Sequence, residues 1–233
     1  MKWNNNIIDS FAWGKTITRQ AEKECVARKI AAMPKDGEVL GVGSGSTSYM
    51  ALLAIAERVK KEDLRIKAIP TSLEITMACA RLGIPVTNLE ADRPDWTFDG
   101  ADEIDPRLSL IKGRGGAMFR EKLLINSSPK TCIIADSSKM VSRLGMNFPV
   151  PVEVFPQALS YVGQALRELK PAGIKLRMAE GKDGPVVTEN GNLILDVWFD
   201  AIPDTTEVAL KSITGVIESG LFIGYAVEIV NAG

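Results

Sequence analysis

Short apolar strands that run straight into small, hydroxyl-bearing or acidic turns, each followed by a helix, constrain this chain more than any other feature. Glu38-Val39-Leu40-Gly41-Val42 reads as a buried strand. It passes into Gly43-Ser44-Gly45-Ser46-Thr47 and then a helical stretch from Ser48 to about Lys60. Upstream, Ala21, Cys25, Val26, Ile30 and Ala31 recur at helical spacing within 16–33, and the Pro34-Lys35-Asp36-Gly37 turn ends that helix. The next strand is 65–70, after which Thr71 or Ser72 caps a helix that ends near Gly83. Trp96-Thr97-Phe98 leads into Asp99-Gly100-Ala101-Asp102-Glu103. A glycine-rich loop at 113–116 opens a helix through Glu121, and 131–135 is a further apolar strand. Such alternation implies parallel strands with covering helices.

The pattern shifts near Gly145. A strand at 149–154 and a helix at 156–169 are followed by strands near 174–178 and 192–198, a helix near 205–211 and a strand near 213–218. This is the run of a second, small domain. The segment 221–230 is expected to return to the first sheet. The division that follows is 1–145 plus 222–233 for one domain and 146–221 for the other.

A chain of 233 residues, 45% hydrophobic, can bury one large core or two modest ones. Its 28 basic and 29 acidic residues leave a net charge of -1, without the basic surplus of a nucleic-acid binder. No apolar run reaches the roughly 20 residues needed to span a bilayer. The start, Met1-Lys2-Trp3-Asn4-Asn5-Asn6, lacks the apolar centre of a signal peptide. A cytoplasmic protein with no membrane or nucleic-acid partner is expected. Cys25, Cys79 and Cys132 stand singly in apolar surroundings and read as buried free thiols. Histidine is absent, so acid–base chemistry has to run on Asp, Glu, Lys, Cys or Tyr.

Several segments at strand ends carry candidate chemistry. In 43–47, glycines allow close backbone approach, while hydroxyls and helix-start amides suit an anion. The segment has neither the Walker lysine nor a complete GxGxxG, and a plain capped turn is its simplest alternative. Asp99, Asp102 and Glu103 crowd one turn, where ligands of open α/β sheets bind; a Mg²⁺ site or a solvated turn would also suit them. Lys112-Gly113-Arg114-Gly115-Gly116 is a flexible cationic loop ahead of Arg120-Glu121-Lys122. A lone Glu121 would be an ordinary surface ion-pair partner, but the convergence of three such segments favours a function. Lys139, after Asp136-Ser137-Ser138, is placed to reach a substrate oxygen.

Taken together, Gly41 to Thr47, Asp99 to Ile104, Lys112-Gly113, Arg120-Glu121-Lys122 and Asp136 to Lys139 resemble type A ribose-5-phosphate isomerases. Val152-Glu153-Val154 and Val187 to Asn192 extend the resemblance into the second domain. It implies a Rossmann-like parallel sheet with a smaller inserted α+β, ferredoxin-like domain. It also implies metal- and cofactor-free interconversion of ribose 5-phosphate and ribulose 5-phosphate by a homodimer or homotetramer. Under it, Glu121 is the base and Asp99, Asp102 and Lys112 line the reacting end. Ser44, Gly45, Ser46, Thr47, Gly100, Ala101, Gly113, Arg114, Gly115, Lys139 and Lys23 would contact substrate.

The chemistry fits those residue types. An aldose–ketose shift removes a proton beside a carbonyl and returns it to the neighbouring carbon, which one desolvated carboxylate can do. A fixed cation such as Lys112 stabilises the anionic enediolate, and Asp99 or Asp102 would assist ring opening. Two other readings stay open at this stage. One is a sugar-phosphate sensor without turnover; the other is an isomerase relaxed toward other sugars, for which Arg114 is the only hint.

Overall fold

The computed structural model describes residues 6–14 and 16–232. Of the N-terminal run Met1 to Asn6 considered above, residues 1–5 therefore lie outside the described residues. In chain order the elements begin with α1 (Asn6–Asp9), α2 (Gln20–Ala31), β1 (Val39–Val42), α3 (Ser46–Glu62), β2 (Lys67–Pro70) and α4 (Leu73–Leu82). Then come β3 (Trp96–Gly100), β4 (Glu103–Ile104), β5 (Leu110–Ile111), α5 (Met118–Ser127), β6 (Thr131–Ile134) and β7 (Val150–Val154). The last are α6 (Leu159–Arg167), β8 (Gly173–Leu176), β9 (Leu193–Trp198), α7 (Thr206–Lys211), β10 (Val216–Ser219), β11 (Leu221–Phe222) and β12 (Glu228–Val230). The residues group into two compact units. One comprises 1–100, 123–137 and 226–233; the other comprises 101–122 and 138–225.

The first unit is built on a five-stranded sheet in the order β12-β6-β3-β1-β2, every pair parallel. Parallel strands need crossover helices, so the strands are buried on both faces and read as apolar runs. Val26 and Ile30 of α2, Leu52 and Ile55 of α3 and Ile75 and Cys79 of α4 pack with Leu40, Val42, Phe98 and Cys132 of the strands. Each such side chain contributes about 1.5–3 kcal/mol on burial. The expected cap of α4 is Ser72, whose hydroxyl accepts from the Ile75 N–H at 3.4 Å, and Gly83 closes the helix in the left-handed region. Thr71 instead donates to Val42 O at 3.3 Å. Helix α2 starts later than the apolar spacing suggests, because Arg19 takes a left-handed conformation at its N-cap. Of the segment 221–230 expected to return to this sheet, only β12 does so, pairing with β6, whereas Leu221–Phe222 pairs with β5 in a separate sheet.

The second unit contains the four-stranded sheet β10-β7-β9-β8, antiparallel throughout. With α6 after β7 and α7 after β9, this is the ferredoxin-like β-α-β-β-α-β order. The helix expected over 156–169 opens as a single 3₁₀ turn at Pro156–Ala158 and becomes α-helical only from Leu159. A three-stranded antiparallel sheet, β11-β5-β4, accompanies it, with strands of two residues each. Strands that short carry no readable alternation, and the sequence showed none. Gly220 joins these pieces. Its N–H donates to Pro151 O at 2.7 Å and its carbonyl accepts from Lys112 N at 2.9 Å. A Cβ on Gly220 would lie 2.1 Å from Lys112 O. Backbone cannot yield as a flexible side chain does, so Gly220→Ala is expected to cost about 1–3 kcal/mol or more. A lowered urea midpoint checks this.

Candidate active site

In the first unit, β1 is followed directly by a glycine, Gly43, because an acid needs the room. A Cβ on Gly43 would sit 2.0 Å from the Asp99 carboxyl carbon. Asp99 is buried at the end of β3, and its Oδ1 accepts from the Gly100 N–H at 2.7 Å. Gly45 adopts φ +91° as the N-cap of α3, so the amides of Ser46 and Thr47 lie in the first turn, where helical partners are lacking. Lys23, 6% exposed, reaches across from α2 and donates to Ser46 Oγ at 2.9 Å. Ser44 Oγ and Thr71 Oγ1 are hydrogen-bonded at 2.7 Å. The hydroxyl loop is thus tied by Thr71 at one end and Lys23 at the other. A cation, hydroxyls and a helix start in one place are the groups that suit an anion.

Beyond β6, the same unit holds a group that sequence reasoning missed. Arg19 donates to Glu22 Oε1 at 2.8 Å and to Ser137 Oγ at 3.0 Å, and its Nε lies 3.7 Å from Asp136 Oδ1. Glu22 Oε2 accepts from the Ser137 N–H at 2.9 Å. That backbone bond, and then Arg19, hold the Glu22 carboxyl below the usual carboxylate range. An arginine just before a helix has no sequence signature for such a role.

In the second unit, β4 and β5 place Asp102 and Lys112 at the same end of a tight antiparallel pair, with Asp102 N donating to Ile111 O at 2.8 Å. Lys112 is 2% exposed and Glu121, in the first turn of α5, is 5% exposed. Their Nζ and Oε2 atoms are 3.4 Å apart. Lys112 Nζ also lies 5.8 Å from the centre of the Phe222 ring. The residues flanking Glu121 are anchored separately. Arg120 pairs with Glu189 and bonds Asn190 Oδ1 at 3.3 Å. Lys122 contacts Glu207 at 2.5 Å, Glu218 at 3.0 Å and Leu221 O at 2.7 Å. The second-domain motifs meet in a buried knot: Glu153 Oε1 accepts from Thr188, Asn192 and Asn190 at 2.8, 2.9 and 3.2 Å.

Two acidic-turn neighbours separate in role. Asp102 Oδ2 accepts from the Arg114 N–H at 3.1 Å. Glu103 instead turns away into the backbone of 145–148, accepting from Gly145 at 2.6 Å, from Phe148 at 3.0 Å and from Asn147. Phe148, so fixed, carries Arg114 and Lys139 over its ring, at 5.6 and 5.4 Å from the centre. Gly113 needs φ +97° to turn the loop, and Gly115 follows within it. Ala101 precedes Asp102 in this unit, and Gly100 ends β3 in the other. Among the described residues, no three His, Cys, Asp or Glu side chains form a set that could hold a metal ion. No described helix is long and apolar enough to cross a membrane. Cys79 and Cys132 are buried as expected, and burial pushes the Cys79 thiol up to about 12, while Cys25 is only partly buried.

By its fold this is an α/β protein, with a hydroxyl-rich helix start in one unit and a buried lysine–carboxylate pair in the other. The chain belongs to the ribose 5-phosphate isomerase A (phosphoriboisomerase A) family, whose model matches residues 67–233. The ribose-5-phosphate isomerase A of Synechococcus sp. is 46% identical over 208 residues, covering 87% of this chain and 88% of the relative. The solved structure of ribose 5-phosphate isomerase A from Methanocaldococcus jannaschii superposes with a TM-score of 0.87 at 36% identity, over 91% of this chain and 96% of that one. A D-ribose-5-phosphate isomerase solved in complex with phospho-erythronic acid also gives 0.87, at 35% identity over 92% and 96%.

Lys122 tests how the helix bearing Glu121 is held. Burial alone would raise the Glu218 carboxyl, but Lys122, the Ser219 N–H and Lys211 outweigh it and hold it below the usual carboxylate range. A lowered carboxylate contributes stability that is present above its unfolded value and lost as pH falls through the folded one. Lys122→Met removes the cation that Glu207 and Glu218 share, leaving Glu218 only Lys211, and is expected to cost about 3 kcal/mol at neutral pH. The gap to the parent protein should narrow in acid, as pH falls from the unfolded carboxylate value through the lowered one of folded Glu218. Urea melts at several pH values read both effects.

Proposed function

We propose that this chain interconverts D-ribose 5-phosphate and D-ribulose 5-phosphate through an enediolate, with Glu121 moving the proton. The observation that carries this reading is the buried pair of Glu121 and Lys112, 3.4 Å apart. In the open-chain aldose, Glu121 takes the proton from C2. The electrons pass to the carbonyl oxygen, and the resulting enediolate is protonated at C1 by the same carboxyl group. Charge develops on the two oxygens during this step, and Lys112 is a cation already in place to meet it. Asp102, steadied by the Arg114 N–H, or Asp99, steadied by the Gly100 N–H, carries the hydroxyl proton during ring opening and between the oxygens.

Phosphate recognition falls to Ser44, Gly45, Ser46 and Thr47 with Lys23. The support for this is the lysine on Ser46 together with the helix start, which favours a dianion. Gly100, Ala101, Gly113, Gly115, Arg114 and Lys139 complete the substrate contacts. Arg114 and Lys139 share the Phe148 ring, which limits where their charges can go. The reading includes a homodimer or homotetramer acting in the cytoplasm, supported by the family resemblance.

Replacing Glu121 by Gln removes the base and keeps the shape. The variant is expected to fold and to bind the sugar phosphate, with turnover down on the order of 10²–10⁴-fold. A coupled assay of ribulose 5-phosphate formation, beside calorimetric binding of ribose 5-phosphate, measures both. Near-normal turnover would remove Glu121 from this role. Tight binding with no turnover in the parent protein would point to a sensor.

A further inference from the structure

Arg177 follows β8 and attracts no notice as a sequence feature, yet it sits at the centre of a continuous polar chain. Its Nε donates to Asp196 Oδ2 at 2.9 Å, and its Nη2 pairs with Asp196 Oδ1. Asp196 lies on β9, in register with Lys175, so the pair is built on the antiparallel sheet. The remaining nitrogen, Nη1, donates to both Gly113 O and Arg114 O, each at 2.9 Å. The Gly113 carbonyl and the Arg114 N–H belong to one peptide unit. That N–H donates to Asp102 Oδ2 at 3.1 Å. The peptide following Lys112-Gly113 is therefore gripped at its oxygen by a guanidinium and at its hydrogen by a carboxylate.

We infer that the Arg177–Asp196 pair is a positioning device for the reaction, acting through the Gly113–Arg114 peptide on Asp102 and on the loop that starts at Lys112. The inference rests on the isomerase reading above. The side chains of Arg177 and Asp196 are only 15% and 14% exposed, so the guanidinium is held in one orientation by a bidentate partner. Its charge on the carbonyl oxygen polarises the amide, and hydrogen bonds in such a series strengthen one another. Gly113, at φ +97°, gives the loop the freedom that this grip removes. Lysine cannot replace the fork: one ammonium cannot span a bidentate carboxylate and two carbonyls.

Arg177→Lys is expected to lower kcat for ribose 5-phosphate roughly 10- to 100-fold, the scale of loss from a small misplacement of reacting groups. KM should change much less, because the Arg177 guanidinium is already committed to Asp196 and to the Gly113 and Arg114 carbonyls. The double variant Arg177→Gln/Asp196→Asn removes both charges at similar volume and should recover thermal stability without recovering kcat. Recovery of kcat together with stability would overturn the inference, since the pair would then serve folding alone. Unchanged kcat in Arg177→Lys would overturn it too. Should the variants not fold, the parent protein still decides. Amide exchange at Arg114 is expected to be several-fold slower than in an unstructured peptide, and unprotected exchange there would contradict the grip. Glu121→Gln, run alongside, keeps the two claims apart. If it abolishes turnover while the Arg177 variants do not alter it, only the positioning claim fails.

Discussion

A lysine and a glutamate buried against each other are an expensive thing for a protein to keep. Removing two charges from water costs several kcal/mol per ion, and the attraction between them repays this only when neighbours hold the geometry. Glu121 and Lys112 sit in that position, and much of the surrounding unit can be understood as its support. Lys112 is drawn into place by its N–H on Gly220 O. Glu121 is flanked by Arg120 and Lys122, each fastened to different acids. With no histidine in the chain, this pair is also the strongest candidate for proton transfer near neutral pH.

The other unit solves a different problem with simpler means. A parallel sheet leaves its strand ends facing helix starts, and helix starts attract anions. Gly43 makes space for Asp99, Gly45 turns the chain into α3, and Lys23 adds a buried charge beside Ser46. Nothing here requires a long motif, only small residues where backbone and acid must come close.

This division explains what was legible in the sequence. The strand–turn–helix units could be read because apolar runs, Ser72 and Gly83 punctuate the chain locally. The hydroxyl loop, the acidic turn and the Lys112–Glu121 helix entry were visible for the same reason. The two-residue strands β4, β5 and β11 were not, since a strand of that length has no period. Arg19, Phe148 and Arg177 were also hidden: each acts on a segment distant in sequence, and an isolated arginine or phenylalanine says nothing about its partner. Glu103 stood in plain view within the acidic turn, but its partners, the amides of 145–148, lie more than forty residues away.

The pair itself can be tested as a unit. If Glu121 forms the enediolate and Lys112 serves only to stabilise it, the lysine has nothing to act on once the base is gone. A double-mutant cycle of Lys112→Gln and Glu121→Gln, read in kcat for ribose 5-phosphate, measures this coupling. The predicted result is a double variant no slower than Glu121→Gln alone. Losses that multiply, as for two independent residues, would contradict the pair as the seat of the chemistry.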